Sequence, residues 1–222
     1  MHDRTKSLQP QSRYPGYDVL SKRNGPSWNE QTRREIARRL SIDREPRFFS
    51  REEFETVTAI AARIVPQQGS CPAIPVASLV DRKLHEGISD GYRVPGMPRE
   101  GEAWRLGLQA LDAEAKAAHG ARFHTLAEAA QQSLLQRMER GELRRPEWGS
   151  MRSADFFRRR MGRDIVLAYY AHPAAWSEIG WGGPASPRGY VRLDFDERDP
   201  WEAAEAGGAD DVTVRRVNRH VR

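Results

Sequence analysis

Pro46-Arg47-Phe48-Phe49-Ser50-Arg51-Glu52-Glu53-Phe54, running on to Ile64-Val65-Pro66, is the stretch that decides the fold. Ser50 and Glu53 stand three apart, the spacing of a capping box, in which each side chain satisfies a backbone donor left free in the first helical turn. Phe54, Val57, Ala61 and Ile64 then recur at helical spacing and mark one apolar face. Pro66 ends the run, because proline cannot continue the hydrogen-bond ladder. A capped amphipathic helix is therefore predicted between Ser50 and Pro66.

Downstream the pattern repeats with different stops. Gln67 to Ile74 is turn-rich, Pro75 suits a first helical position, and Val76, Leu79, Val80 and Leu84 form a second stripe that Gly87 closes. After the breakers Gly91, Pro95, Gly96 and Pro98, a helix is predicted from about Glu102 to His119, with Trp104, Leu108, Leu111, Ala115 and Ala118 inward and Gly120 as its stop. Thr125 and Glu128 repeat the capping-box spacing ahead of Ala130, Leu134, Leu135 and Met138, and Gly141 ends that segment. Ser153 is the expected cap of a last long helix carrying Phe157, Met161, Ile165, Ala168 and Tyr169 up to Pro173. The fold class predicted is all-α, a compact bundle of about five helices joined by short loops, with residues 47–182 as the helical body.

Outward from that body the chain becomes irregular. Residues 1–46 read as a polar N-terminal arm, broken by Pro10, Pro15, Gly16, Gly25 and Pro26, with a short helix capped by Ser27 or Asn29 and reaching about Leu40. Tyr14, Tyr17, Val19, Leu20 and Trp28 sit among the breakers, where an apolar residue gains nothing unless it docks on the body or on a partner. Residues 183–222 read as a Gly/Pro-rich loop and C-terminal tail. Within them Val191, Leu193 and Phe195 alternate with Arg192 and Asp194, the period of one short β-strand near 190–195, which would lie along the body or add to a partner's sheet. The basic end, Arg215 to Arg222, is expected to be mobile.

Composition narrows the function classes. Leu, Ile, Val and Phe total 41 of 222 residues, a low core-forming content, yet a net charge of +5 with six Trp and six Tyr opposes a wholly disordered chain. Of the 36 basic residues only Lys6, Lys22, Lys83 and Lys116 are lysine. Arginine-rich surfaces suit bidentate pairing across a protein interface, although a GC-rich coding bias gives the same composition. Acidic residues are interspersed with the basic ones and no nucleic-acid motif occurs, so nucleic acid is not the expected partner. No run approaches the ~20 apolar residues of a membrane span. Arg33-Arg34 is followed by Glu35-Ile36-Ala37-Arg38-Arg39 rather than by the apolar stretch of an export signal. A cytoplasmic chain is expected, reaching the periplasm only on a partner's signal.

The chemistry-bearing residues are scattered. The lone Cys71 gives no disulfide and no Cys-clustered metal site, and Cys-x-x-Cys-His is absent. His119 and His124 are separated by the Gly120 turn, and His172 sits at a helix end, where an imidazolium favours the dipole. Asp112 and Glu114, two apart on a helix, point in different directions and make no carboxylate pair. Gly180-Trp181-Gly182-Gly183-Pro184 lacks the glycine spacing and preceding strand of a phosphate loop, and reads as a structural turn. No dinucleotide fingerprint and no nucleophile elbow occur, so no catalytic, cofactor-binding or metal residues are expected in this chain.

The order of segments carries a resemblance. Phe48-Phe49 before a capped helix ending Ile64-Val65-Pro66 is followed by Pro75-Val76 with Leu79, Asp81 and Leu84. Then come Trp104-x-x-Gly107-Leu108-x-x-Leu111-Asp112, Gly120 with Phe123 and Leu126, Gly141, Phe156-Phe157, and Tyr169-Tyr170-x-His172-Pro173-x-x-Trp176-x-x-Ile179-Gly180. Over roughly residues 46–190 this series resembles the gluconate 2-dehydrogenase subunit 3 family.

The resemblance implies a small subunit, without catalysis of its own, that accompanies a large FAD-dependent flavoprotein of the glucose-methanol-choline type oxidising a sugar or alcohol, with a c-type cytochrome as a further partner in some complexes. FAD is then expected in the partner and no cofactor in this chain. Many members of the family carry a twin-arginine signal, and this sequence departs from that pattern. Aromatic residues outside the regular stripes are the candidate partner-binding set: Trp176, Trp181 and Tyr190 on the Gly/Pro-shaped loop, and Tyr14, Tyr17, Trp28 and Trp201 on the arms. Packing of Trp176, Trp181 and Tyr190 on the chain's own helices stands beside that reading. The alternative function is a stand-alone small helical ligand-binding protein or enzyme.

Overall fold

The computed structural model describes residues 13–67, 73–91, 94–186, 189, 199–206 and 211–220. Its helices are α1 (Glu30–Leu40), α2 (Arg51–Ile64), α3 (Val76–His85), α4 (Glu100–His119), α5 (Glu128–Arg140), α6 (Ser153–Phe156), α7 (Gly162–Ala171), α8 (Pro173–Glu178) and α9 (Asp211–Arg219), with a π-helical segment Phe157–Met161 between α6 and α7. The chain is all-α over these residues, as the stripes and stops predict. The expected strand near 190–195 lies outside the described residues, as do Tyr190, Phe195 and Cys71. Two compact units form, one from residues 42–169 and one from residues 1–41 with 170–222.

Residues 42–169 are built around α4. Ser50 and Glu53 complete the expected capping box of α2, and α2 packs on α3, α4 and α5. Asp81, buried on α3, accepts the backbone N–H groups of Arg47, Phe48 and Phe49 at 2.8, 3.0 and 2.9 Å. One carboxylate thus fixes the turn that enters α2, satisfying donors that no ladder would reach. A run of edge-on rings follows: Phe49 on Trp104, Trp104 on Phe156, and Trp148 tilted against Phe156. Gly107 makes this stack possible, because a β-carbon there would stand 2.3 Å from the Phe156 ring. Asp112 accepts the Phe123 N–H and Glu114 accepts Arg145 N–H and Trp148 Nε1–H, so the two acids serve separate loops.

Three local expectations need correction. Thr125 does not cap α5: its hydroxyl donates to the Arg122 carbonyl within a 3-10 turn, Ala127 is the capping position, and the Gln131 amide instead takes the carbonyls of Phe123, His124 and Leu126. Ser153 turns its hydroxyl inward to Leu143 O at 2.8 Å, so Arg152 stands at the cap of α6. The last long helix is not uniform either. It widens into the π segment, and Gly162 accommodates the displaced Phe157 carbonyl, which would lie 2.9 Å from a β-carbon at that position.

Residues 42–169 also bury a network of ions. Lys83 Nζ lies 2.9 Å from Asp90, 3.2 Å from Glu100 and 2.9 Å from Asp164. Arg160 Nη1 reaches Asp90 at 3.0 Å, Arg163 pairs with Asp90, and Trp104 Nε1 donates to Asp164 at 2.9 Å. Burial works against the Lys83 charge, but Asp164, Asp90 and Glu100 outweigh it and raise its pKa. The Asp90 pKa is lowered, because Lys83, Arg163 and Arg160 outweigh the burial of its carboxylate.

Candidate functional site

Tyr17, Val19, Trp28, Ile36, Trp176, Trp201 and Ala203 form the buried core of the unit made from the two ends of the chain, with Tyr14, Leu20 and Ala185 against it. Short backbone ties hold the segments together. Ser186 N–H donates to Ser27 O and Asn29 N–H to Ser186 O, an isolated parallel bridge, and Ala206 N–H donates to Arg13 O. Tyr17 Oη donates to Trp201 O at 2.8 Å, and Val19 N–H donates to Ser177 Oγ at 3.1 Å.

The Gly180–Pro184 turn sits against this core. Gly180 and Gly183 have φ of 68° and 66°, the left-handed region, and side chains at either would collide, with Tyr14 at 2.5 Å and with Trp176 at 3.0 Å. Those glycines let two aromatic rings lie against backbone, which agrees with a structural turn. Trp181 N–H donates to Trp176 O, and the two indoles meet edge-on with centroids 4.7 Å apart. Trp176 is buried and donates Nε1–H to Tyr170 O, whereas Trp181 is 44 % exposed.

Trp181 lines a groove of about 450 Å³ together with Gln31, Thr32, Glu35, Ile36 and Arg39 of α1 and with Trp176 and Pro184. Asn29 caps α1 by accepting the Thr32 N–H, and its amide donates to Ser186 Oγ. Hydrogen bonds from Arg38 and Arg39 hold the Glu35 carboxyl well below its usual range. Arg39 also donates to Ala171 O and lies over the Trp176 ring at 5.9 Å. The groove thus brings one exposed indole together with polar and charged side chains.

The other aromatic candidates occupy different places. Trp28 and Trp201 are both buried near Lys22, whose Nζ lies 5.4 and 5.8 Å from the two rings and donates to Pro184 O. Burial of the ammonium, opposed by Glu202 and Asp199, pushes its pKa down to about 8. Tyr17 is buried beside them, Tyr14 is half-buried, and Tyr190 lies outside the described residues. His172 is not the charged helix-end group expected: its Nδ1 accepts the Ala174 N–H at the start of α8, and burial lowers its pKa. The basic C-terminal segment is a helix through Arg219. Asn218 anchors it, accepting from Ala204 N and donating to the carbonyls of Pro15 and Ala204.

Among the described residues no group of three or more His, Cys, Asp or Glu is placed to hold a metal ion, and no helix is long and apolar enough to cross a membrane. The sequence reading passed over the Lys83–Asp164 network. Its available signal was Arg160 with Asp164, an i, i+4 pair of opposite charges beside the Phe157, Met161 and Ile165 stripe.

Comparison with known families decides the affiliation. The model of the family described as gluconate 2-dehydrogenase subunit 3 matches residues 51–183, more than half of the chain. The chain belongs to the gluconate 2-dehydrogenase subunit 3 family. No curated protein and no solved structure matches it. The part matched to the gluconate 2-dehydrogenase subunit 3 model contains Trp104, Trp148 and Phe156 of the ring stack, the ion network, Trp176 and Trp181, while Phe49 precedes it. Tyr14, Tyr17, Lys22, Trp28, α1, Trp201 and α9 fall outside it.

Proposed function

We propose that this chain is the non-catalytic small subunit of a dehydrogenase complex, binding and stabilising a large FAD-dependent subunit that oxidises a sugar or alcohol. Membership of the subunit 3 family supports the accessory role. The observation that carries the contact surface is Trp181, half out of the core and held edge-on by Trp176 beside the polar α1 face. Tryptophans of this kind, rigid and partly presented, are frequent anchors of protein interfaces. In this reading FAD and the reacting substrate both belong to the large subunit, and a c-type cytochrome takes the electrons where one is present.

Four of the aromatic candidates, Tyr17, Trp28, Trp176 and Trp201, have a second job that does not exclude the first. They build the core that fixes Trp181 in place. The test is co-expression of the full chain with a candidate large flavin-dependent dehydrogenase subunit. Trp181→Ala is expected to weaken co-purification by the roughly 2 kcal/mol of an interface hot spot while circular dichroism keeps its helical signal. Equal loss of binding and helix would mean that Trp181 serves the chain's own packing alone.

A further inference from the structure

Helix α9 is held along one side. Successive side chains turn about 100° around a helix axis, so Val214 and Asn218, four apart, share a face. Val214 is half-buried, and Asn218 is buried and bonded to Pro15 O and to both backbone groups of Ala204. The opposite side carries Val212, Arg216 and Arg219, spaced i, i+4 and i+7, with Arg215 beside them. Val212 is 79 % exposed, and the three arginines are exposed as well. Two of them are seated on the chain: their stems cross Gly16, where a β-carbon would stand 3.0 Å from Arg215 Cγ and 3.6 Å from Arg219 Cγ.

Charge sets α9 apart from the other surface helices. α1 matches Arg34 with Glu30 and both Arg38 and Arg39 with Glu35, and α2 matches Arg51 with Glu55. In α9 the one acid is Asp211, and among the described residues Arg215, Arg216 and Arg219 pair with no carboxylate. The helix dipole favours cations in the last turn, where Arg216 and Arg219 stand, but it gives no account of Val212 lying in the open between them. Like charges three and four apart repel on a helix, so the arginines oppose one another until an anion comes between them. Guanidinium groups take carboxylates through paired hydrogen bonds, and the valine adds an apolar contact. A nucleic-acid backbone would use the charges but offers nothing to Val212. A membrane surface calls for large apolar side chains on the inserting face, and the apolar residues of α9 are all valine. We propose that the face of α9 formed by Val212, Arg215, Arg216 and Arg219 docks an acidic segment of a partner protein, whose carboxylates flank one apolar side chain that covers Val212. This face lies outside the residues matched to the family and is separate from the Trp181 contact.

The experiment measures binding of the full-length protein, at physiological salt, to a glutamate-rich peptide with leucine at its centre, to the same peptide with glycine there, to duplex DNA and to phosphatidylserine vesicles. The leucine peptide is expected to bind saturably, and the glycine peptide at least about fivefold more weakly for want of the apolar contact. Arg215→Gln, Arg216→Gln and Arg219→Gln together should weaken the leucine peptide at least about tenfold. The same charge removed elsewhere, by Arg23→Gln, Arg44→Gln and Arg158→Gln at exposed positions, should change it by less than about twofold, because distant charges are screened. Val212→Ser alters no charge and no buried side chain, and it should bring the leucine peptide down to the level of the glycine one. The proposal is overturned if neither peptide binds, if DNA or vesicles bind more tightly than the leucine peptide, or if the two peptides bind alike. It is overturned equally if the distant charge removal matches the loss in the α9 variant, or if Val212→Ser leaves the leucine peptide unchanged.

Discussion

Gly107 and Lys22 carry opposite lessons about single residues. At Gly107 the missing side chain is the function: Phe156 occupies the space, with ring atoms 2.3–2.6 Å from where a β-carbon would sit. Gly107→Ala must displace a ring wedged between Trp104 and Trp148, so overpacking rather than helix propensity decides the sign. The variant is expected to lose about 1–3 kcal/mol, read as a lower urea midpoint. An unchanged midpoint would mean that the stack yields freely. Lys22 is a charge held where water cannot reach it. Its folded pKa, near 8, lies below the ordinary lysine value of 10.5, so between those values the unfolded chain binds more protons than the folded one. Unfolding free energy from Lys22 should therefore rise as pH increases from 8 towards 10.5. Replacing the side chain with a neutral one of similar length, Lys22→Met, should remove that rise. Urea titrations at several pH values check it, and identical slopes in the two proteins would refute the assignment.

Elements show what was legible in the sequence. α2 was readable because its cap, stripe and stop lie within one short stretch, and α4 because Gly120 ends it in a left-handed turn. The Thr125 cap was misread because the same spacing is compatible with a 3-10 turn, and only the distant amide of Gln131 shows which carbonyls need bonding. α9 was hidden for another reason. Its anchor is a polar residue, Asn218, whose partners Pro15 and Ala204 belong to other segments, so hydrophobic periodicity gives no sign of docking. Asn218→Ala would leave those backbone groups without their bonds, a cost on the order of 1–3 kcal/mol. Hydrogen exchange is expected to speed up in α9 and around Ala204, with α2 and α4 unaffected. Uniform acceleration would mean that α9 is part of the global unfolding unit.

At the scale of the whole chain, the aromatic residues of the two ends have an explanation that needs no partner for most of them. Each buried ring contributes on the order of 1.5–3 kcal/mol, against roughly 1–2 kcal/mol per ordered residue, so the terminal segments fold only by gathering several rings in one core. Sequence reading found the rings and not their pairing, because Arg13 and Glu205 meet across 192 positions and no local pattern encodes that closure. Trp181 is the one exposed candidate among the described residues, and the proposed contact with the dehydrogenase subunit rests on it. The central claim is that flavin chemistry belongs to the partner. Its most direct test is the visible absorption spectrum of the tagged full chain, purified once by itself and once after co-expression with a candidate flavin-dependent dehydrogenase subunit. A colourless protein is expected from the chain alone, and a complex with stoichiometric flavin absorbance and dye-linked sugar or alcohol oxidation from the co-expression. Flavin bound to the chain purified alone, or a flavoprotein fully soluble and active that never retains the chain, would contradict it.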